Sequence, residues 1–231
     1  MEAYLEGKLK ALAPRADVQP DATAVEAAGV ANLSRAVELW LQRRPGRADQ
    51  VQGRIWRARV LIFAGDSPAG VAALREALGL MPDHFDARFQ LALALAQQNP
   101  DEARHHLEIL RDRYPENHYV RFGLATTYRM LGRSNESRQL LETLLTGPSE
   151  LSALVELAAL DLDEGKVADA RRRLQTALDR APNSPEVNLA MRRCEQLTGH
   201  PAEAEKYRKR FEEIEAARKK SAAPQPPAPN R

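Results

Sequence analysis

The feature that most constrains this chain is a period of about 34 residues, carried by four series that keep one phase. Prolines recur at Pro82, Pro115, Pro148 and Pro182, and turn residues at Gly65, Asn99, Gly132, Gly165 and Gly199. Small residues recur at Ala36, Gly70, Ala103, Ser137, Ala170 and Ala204. A large apolar residue stands four places after most of them, at Trp40, Leu74, Leu107, Leu141 and Leu174. Residues four apart share one face of a helix, so each period predicts a helical stripe of small and large side chains. Glycine suits a helix end and proline cannot continue a helix interior, so each period is broken twice. The expectation is a row of helix–turn–helix repeats, each packed only on its neighbours. Function in such an array lies on a surface that successive repeats share.

The segment from Leu151 to Ser184 shows the grammar. Leu154, Leu157, Ala158 and Leu160 put one apolar face on a first helix, and Gly165 ends it. Val167, Ala170, Leu174, Ala177 and Leu178 are spaced three and four apart on a second helix, which stops before Pro182. The same pattern sets repeats at 51–84, 85–117, 118–150, 151–184 and 185–218, with a more degenerate one at 17–50. In that first one, Asp21 to Val30 reads as a weak helix and Leu33 to Arg44 as a convincing one. Residues 1–16 read as an N-terminal helix, bearing Tyr4, Leu5, Leu9 and Leu12. It is either half of an upstream repeat in a longer parent or a short cap. After Pro201 the apolar stripe narrows and charge dominates, as expected of a terminal helix that shields the last repeat. Residues 219–231 are Pro-rich and read as a disordered tail.

The period and pattern resemble the tetratricopeptide repeat family over about residues 17 to 218. That family places small residues at repeat positions 8 and 20, here Ala58, Ala92, Ala125 and Ala158, and Gly70, Ala103, Ser137, Ala170 and Ala204. Position 27 holds Ala77, Leu110, Leu144, Ala177 and Phe211. Position 4, often Trp in the family, is Arg54, Arg88, Arg121 and Leu154. Position 11, often Tyr, is Leu61, Leu95, Tyr128 and Asp161. The resemblance implies an all-α, right-handed solenoid of about five helix pairs with a C-terminal capping helix.

Composition excludes more than it selects. The 34 basic and 32 acidic residues leave a formal charge of +2, too balanced to argue for nucleic acid. No apolar run approaches the ~20 residues of a membrane span. Cys194 stands alone, so no intrachain disulfide can form; it reads as a packed thiol beside Met191 and Leu197. His105 and His106 point about 100° apart on a helix and have no completing ligand, so they read as solvated surface. Asp161 and Asp163 read as a polar turn end. The run Arg171 to Arg173 and the Lys206 to Arg210 segment, interleaved with Glu203, Glu205, Glu212 and Glu213, read as salt-bridged helix faces. No phosphate-binding loop or nucleophile motif is present, and no cofactor or metal is expected.

The resemblance also implies which residues line the concave side, since repeat positions 2, 5, 9, 12 and 13 of each first helix face it. These include Gln52, Ile55, Arg59, Ile62 and Phe63, then Phe89 and Leu93, then Tyr119, Phe122, Thr126, Arg129 and Met130. The candidate binding set is Ile55, Arg59, Phe63, Phe89, Leu93, Tyr119, Phe122 and Arg129. Ile55 and Phe89 read equally well as packing between adjacent first helices. In the next repeat the corresponding residues are Ser152, Val155, Glu156, Ala159 and Asp163, smaller and more acidic. The Lys and Asn set of chaperone-tail clamps is not met, because those positions hold Ile55, Arg59, Gln90 and Tyr119. The expected function is a non-enzymatic scaffold that binds a peptide or helix of a partner protein in the groove. The alternative is a docking or regulatory segment of a larger enzyme or of a secretion or assembly complex. Neither nucleic acid nor membrane insertion is expected. The expected compartment is the cytoplasm, or an extracytoplasmic one if the chain is part of a longer exported protein.

Overall fold

The computed structural model describes residues 24–222, which contain eleven α-helices and no strand. In chain order they are α1 (Ala24–Arg43), α2 (Arg47–Phe63), α3 (Ser67–Leu80), α4 (Phe85–Leu95), α5 (Pro100–Arg113) and α6 (His118–Met130). They continue as α7 (Ser134–Glu142), α8 (Glu150–Asp163), α9 (Val167–Arg180), α10 (Pro185–Leu197) and α11 (Pro201–Ala222). Within the bodies α2 packs on α3, α4 on α5, α8 on α9 and α10 on α11, in the phase that the small and turn residues predict. The chain divides into two compact bodies, Met1–Leu131 and Gly132–Arg231.

Three boundaries differ from the sequence expectation. The pair expected in 17–50 is one continuous helix, α1, because nothing between Val30 and Leu33 breaks it. The following helix begins at Arg47 rather than Val51, directly after Gly46. The last helix runs to Ala222, so residues 219–222, expected in the tail, are helical. The expected helix over 1–16 and the rest of the tail lie outside the described residues.

The turns inside the pairs use glycine for its backbone freedom. Gly65, Gly132, Gly165 and Gly199 all have positive φ, between 72° and 88°, a region where a Cβ is strained. Asn99 solves its turn differently. Its φ is −143°, and its side chain accepts the Glu102 amide, so it caps α5 instead. That accounts for a repeat one residue short.

In the N-terminal body the first core cluster joins α1 to α2. Trp40 and Trp56 meet edge-on at 4.9 Å among Leu33, Val37 and Val60, with the Arg44 guanidinium 4.3 Å over Trp40. The second joins α2, α3, α4 and α5 through Val51, Ile55, Leu74, Leu91, Leu95 and Ala103. Gly70 marks the closest approach. A Cβ there would lie 2.5 Å from Ile62 Cγ1 and 3.1 Å from the Ala58 carbonyl. In the C-terminal body Ala170 occupies the same repeat position, fully buried among Ala158, Leu174, Met191 and Cys194.

Repeat position 4, where the family often has Trp, carries a polar staple. Arg88 and Asn188 both donate to the proline carbonyl six residues earlier, Pro82 O and Pro182 O. Arg121 donates to Glu116 O, and Arg54 to Gln50 O. Arg88, Arg121 and Asn188 tie down the backbone that leads into their own helices, whereas Arg54 bonds one turn back within its own. Where position 4 is Leu154, the side chain is simply buried.

A second departure, at position 11, forms the joints between repeats. Position 21 of one repeat meets position 11 of the next. In the first joint these are Val71 and Leu95, in one apolar cluster. In the second, Arg104 and Tyr128 both bond Glu108, at 2.9 and 3.1 Å. In the C-terminal body the joints are ionic: Arg138 donates to Asp161 at 2.8 Å and Arg171 to Glu195 at 2.7 Å. Asp161, only 1% exposed, also accepts from Arg173 Nε at 2.8 Å. The expectation of a polar turn end is therefore corrected for Asp161, which is a buried carboxylate between two guanidinium groups. Asp163 is exposed. Arg171 and Arg173 likewise reach buried carboxylates rather than only a solvated face. On α11 the expected surface pairing is present: Lys206 to Glu203, Arg208 to Glu205 and Glu212, and Arg210 to Glu213.

Two outcomes follow from these contacts. Ala170→Leu inserts methylenes into a filled contact and should destabilise by about 1–3 kcal/mol in chemical denaturation. Asp161→Ala removes the partner of Arg173 and one of the two carboxylates held by Arg138, which also reaches Glu164, and should cost about 2–3 kcal/mol. Asp169→Ala, which removes a surface pair with Arg172, should cost under about 0.5 kcal/mol. Equal losses for the two aspartates would show that the buried joint carries no special weight.

Candidate functional site

The expected binding residues lie on α2, α4 and α6, the first helices of successive repeats, all within the N-terminal body. The structure sorts them by exposure. Ile55 is buried in the core with Val51, Ala58 and Leu74, so it is corrected from a groove contact to a packing residue. Its position on α2 faces α3 and α4, where apolar side chains close over it. Phe63 ends α2 and is half-buried. Phe89 and Phe122 are half-buried, whereas Leu93 is 42% and Tyr119 61% exposed. Met130, at the end of α6, is 39% exposed.

The backbone brings α4 and α6 together at a glycine. A Cβ on Gly123 would lie 3.7 Å from Phe89 Cε2 and 3.2 Å from Leu107 Cδ2. The missing side chain lets the Phe89 ring edge lie against α6, beside Phe122. Leu93 is one turn along α4 from Phe89, and Thr126 and Met130 follow Phe122 at the same spacing on α6. The Thr126 hydroxyl donates back to Gly123 O at 2.9 Å, so it presents its methyl group rather than a free donor. The result is a mainly apolar strip on two neighbouring helices.

Two aromatic residues extend the strip that the sequence reading did not include. Phe85 stacks on Phe89 at 5.8 Å, and Tyr114, at the end of α5, meets Phe85 edge-on at 5.0 Å. The signal available for Phe85 was its spacing of four from Phe89. Tyr114 is brought in only by the turn between α5 and α6. Tyr119 lies against the His118 ring at 4.0 Å and keeps most of its surface in solvent.

Arg59 and Arg129 are half-buried. Burial holds the Arg59 guanidinium below the usual arginine range. In the C-terminal body the corresponding positions are smaller or more polar: Ser152 and Asp163 are exposed, and Val155 is partly buried in the core. Leu197, at position 13 of its repeat, is the exception, a large apolar residue 62% exposed.

The remaining chemistry-bearing residues are packed or paired. Cys194 is buried, and burial pushes its thiol up. His105 is exposed, but His106 is only 14% exposed and contacts Arg88 and Glu102, so the expectation of solvated surface holds for one of the pair. Among the described residues no group of three or more His, Cys, Asp or Glu is arranged to hold a metal. No described helix is long and apolar enough to cross a membrane.

The repeats and the small residues at the helix crossings agree with the sequence comparisons. Tetratricopeptide repeat profiles match residues 57–99, 94–146 and 161–210. The chain belongs to the tetratricopeptide repeat family. No curated protein sequence matches it significantly. Solved structures share the fold at low identity. Yeast Tom70 is 16% identical with a TM-score of 0.69, covering 86% of this chain and 42% of its own. PilW, described as a widely conserved type IV pilus biogenesis factor, is 16% identical with a TM-score of 0.65, over 79% and 84%. A tetratricopeptide repeat protein from Parabacteroides merdae is 12% identical with a TM-score of 0.66, over 89% and 76%.

Proposed function

We propose that this chain is a non-enzymatic protein-interaction scaffold whose N-terminal body captures a peptide or helix of a partner protein across α4 and α6. The observation that carries this reading is the exposure of Leu93, Tyr119 and Met130 beside half-buried Phe89 and Phe122 on adjacent first helices. Apolar side chains clustered on neighbouring helices form a surface that gains free energy when covered, and aromatic anchors commonly dominate such contacts. An amphipathic helix laid along the strip would meet Leu93 and Phe89 on one side and Phe122 and Met130 on the other. Arg59 and Arg129 flank the strip and suit an acidic group on the partner, because a guanidinium can make two parallel bonds to a carboxylate. The basic residues of α11 pair with acids on their own helix, which supports a protein rather than a nucleic-acid partner.

Reversing the charge of Arg59 does not cleanly separate binding from folding, since that guanidinium is half-buried. The better variant is Leu93→Asp with Tyr119→Ala, at two exposed positions. Calorimetric titration with the partner recovered by pull-down should show affinity reduced by about tenfold or more, with the helical circular dichroism spectrum unchanged. Leu197→Asp, on the C-terminal body, should bind as wild type does. The reverse pattern would move the interaction surface to the C-terminal body.

A further inference from the structure

The turn that starts α4 is held by two histidines, each used as a hydrogen-bond acceptor. His84 is the N-cap of α4, and its Nδ1 accepts the Ala87 amide at 3.3 Å. His106 reaches the same turn from α5: its Nδ1 lies 3.3 Å from Arg88 Nη1, and Arg88 Nη2 donates to the Pro82 carbonyl. A backbone amide and a guanidinium are both obligate donors, so each ring must offer a lone pair at Nδ1. Only an unprotonated imidazole can do that. We propose that the segment from Pro82 to Arg88 is an acid-released latch, closed by the His84 cap and a neutral His106 and opened when His106 takes up a proton.

The charges around His106 act in both directions, and burial together with Arg88 outweighs Glu102. Facing His106 are Arg88 from α4, Arg75 from α3, and Glu102 and His105 from α5. His106, Arg88, Arg75 and Glu102 line a cleft of about 340 Å³ together with Leu78 and Leu91. Glu102 is already engaged by Arg75 at 2.8 Å and by Asn99 at 2.9 Å. Its carboxylate is 3.8 Å from His106 Nε2, too long for a hydrogen bond. Protonated His106 therefore faces Arg88 donor to donor and turns toward Glu102, leaving the Pro82 carbonyl staple unsupported. Near His84 the carboxylates are Asp83, paired with Arg113, and Asp86.

The linkage sign is consistent with opening in acid. Burial, and then the Arg88 charge, push His106 below its ordinary value of 6.5. The unfolded chain thus binds the proton more readily than the folded one. The stabilisation is complete above the ordinary histidine value and is lost as pH falls below it. Because α4 carries Phe89 and Leu93, opening the latch would loosen half of the proposed binding strip. That consequence rests on the proposed function, whereas the latch does not.

Two measurements on the whole chain test the latch without any partner. Nitrogen-15 correlation spectra at pH 8 should show both rings protonated on Nε2 and bare at Nδ1. Amide exchange, corrected for intrinsic pH dependence, should accelerate at His84 and Arg88 by about fivefold or more from pH 8 to pH 5, with α9 as internal reference. The double variant His84→Asn, His106→Asn places a non-titrating carbonyl oxygen where each Nδ1 stood and should abolish the acceleration. An Nδ1–H tautomer at either ring, or equal acceleration in the variant, overturns the proposal. An intact latch together with unaltered binding of the Leu93→Asp, Tyr119→Ala variant would reject the binding strip alone.

Discussion

The rest of this structure depends on two helices approaching closely enough to share a backbone-to-backbone contact. At Gly70 that approach leaves no room for a side chain, since an added Cβ would press on Ile62 and on the Ala58 carbonyl. Ala170 fills the equivalent place in the C-terminal body with no exposed surface. Small residues at the crossing let leucines such as Leu74 and Leu174 interlock beside it, and density of that kind holds a core poor in aromatics together. The period of the sequence is the record of this contact, repeated once per helix pair.

Between repeats the chain uses more than one chemistry at one geometric joint. Positions 21 and 11 meet as Val71 and Leu95 near the start, as Arg104 and Tyr128 through Glu108 next, and as Arg–carboxylate pairs at Asp161 and Glu195. An apolar joint tolerates sliding, whereas a buried carboxylate held by directed bonds sets one register. The polar staples at position 4 act in the same way on the turns. Arg88 and Asn188 reach the same carbonyl, six residues back, with different side chains. Most departures at position 4, and Asp161 at position 11, thus place directed bonds where the family often packs an aromatic ring, while Leu154 and Leu95 remain apolar.

The proposed strip was legible in part. Phase alone places Phe89, Leu93, Tyr119, Phe122 and Met130 on first helices, and the structure leaves them exposed or half-exposed on α4 and α6. Phase could not separate Ile55 from them, because burial there depends on side chains arriving from α3 and α4. It also could not place Phe85 and Tyr114 in one aromatic row, since that contact is made across a helix pair and its turn. The pair His105 and His106 shows the same limit: one step along a helix turns a side chain by about 100°, enough to leave one ring in solvent and pack the other against Arg88.

By itself the sequence determined the helix pairs, their period, the glycine turns and the small-residue crossings, because each is set by contacts within one repeat or by local backbone geometry. Only the tertiary structure decided which charges are structural. Asp161, Glu195, Arg138 and Arg171 look like surface residues in a charged chain, and their roles arise from partners 23 or 24 residues away. The contacts of His84 with the Ala87 amide and of His106 with Arg88 were equally invisible, because they follow from which atoms reach the rings. Periodicity reports the contacts that every repeat shares, while ion pairs and acceptor bonds are particular to one joint and carry no period.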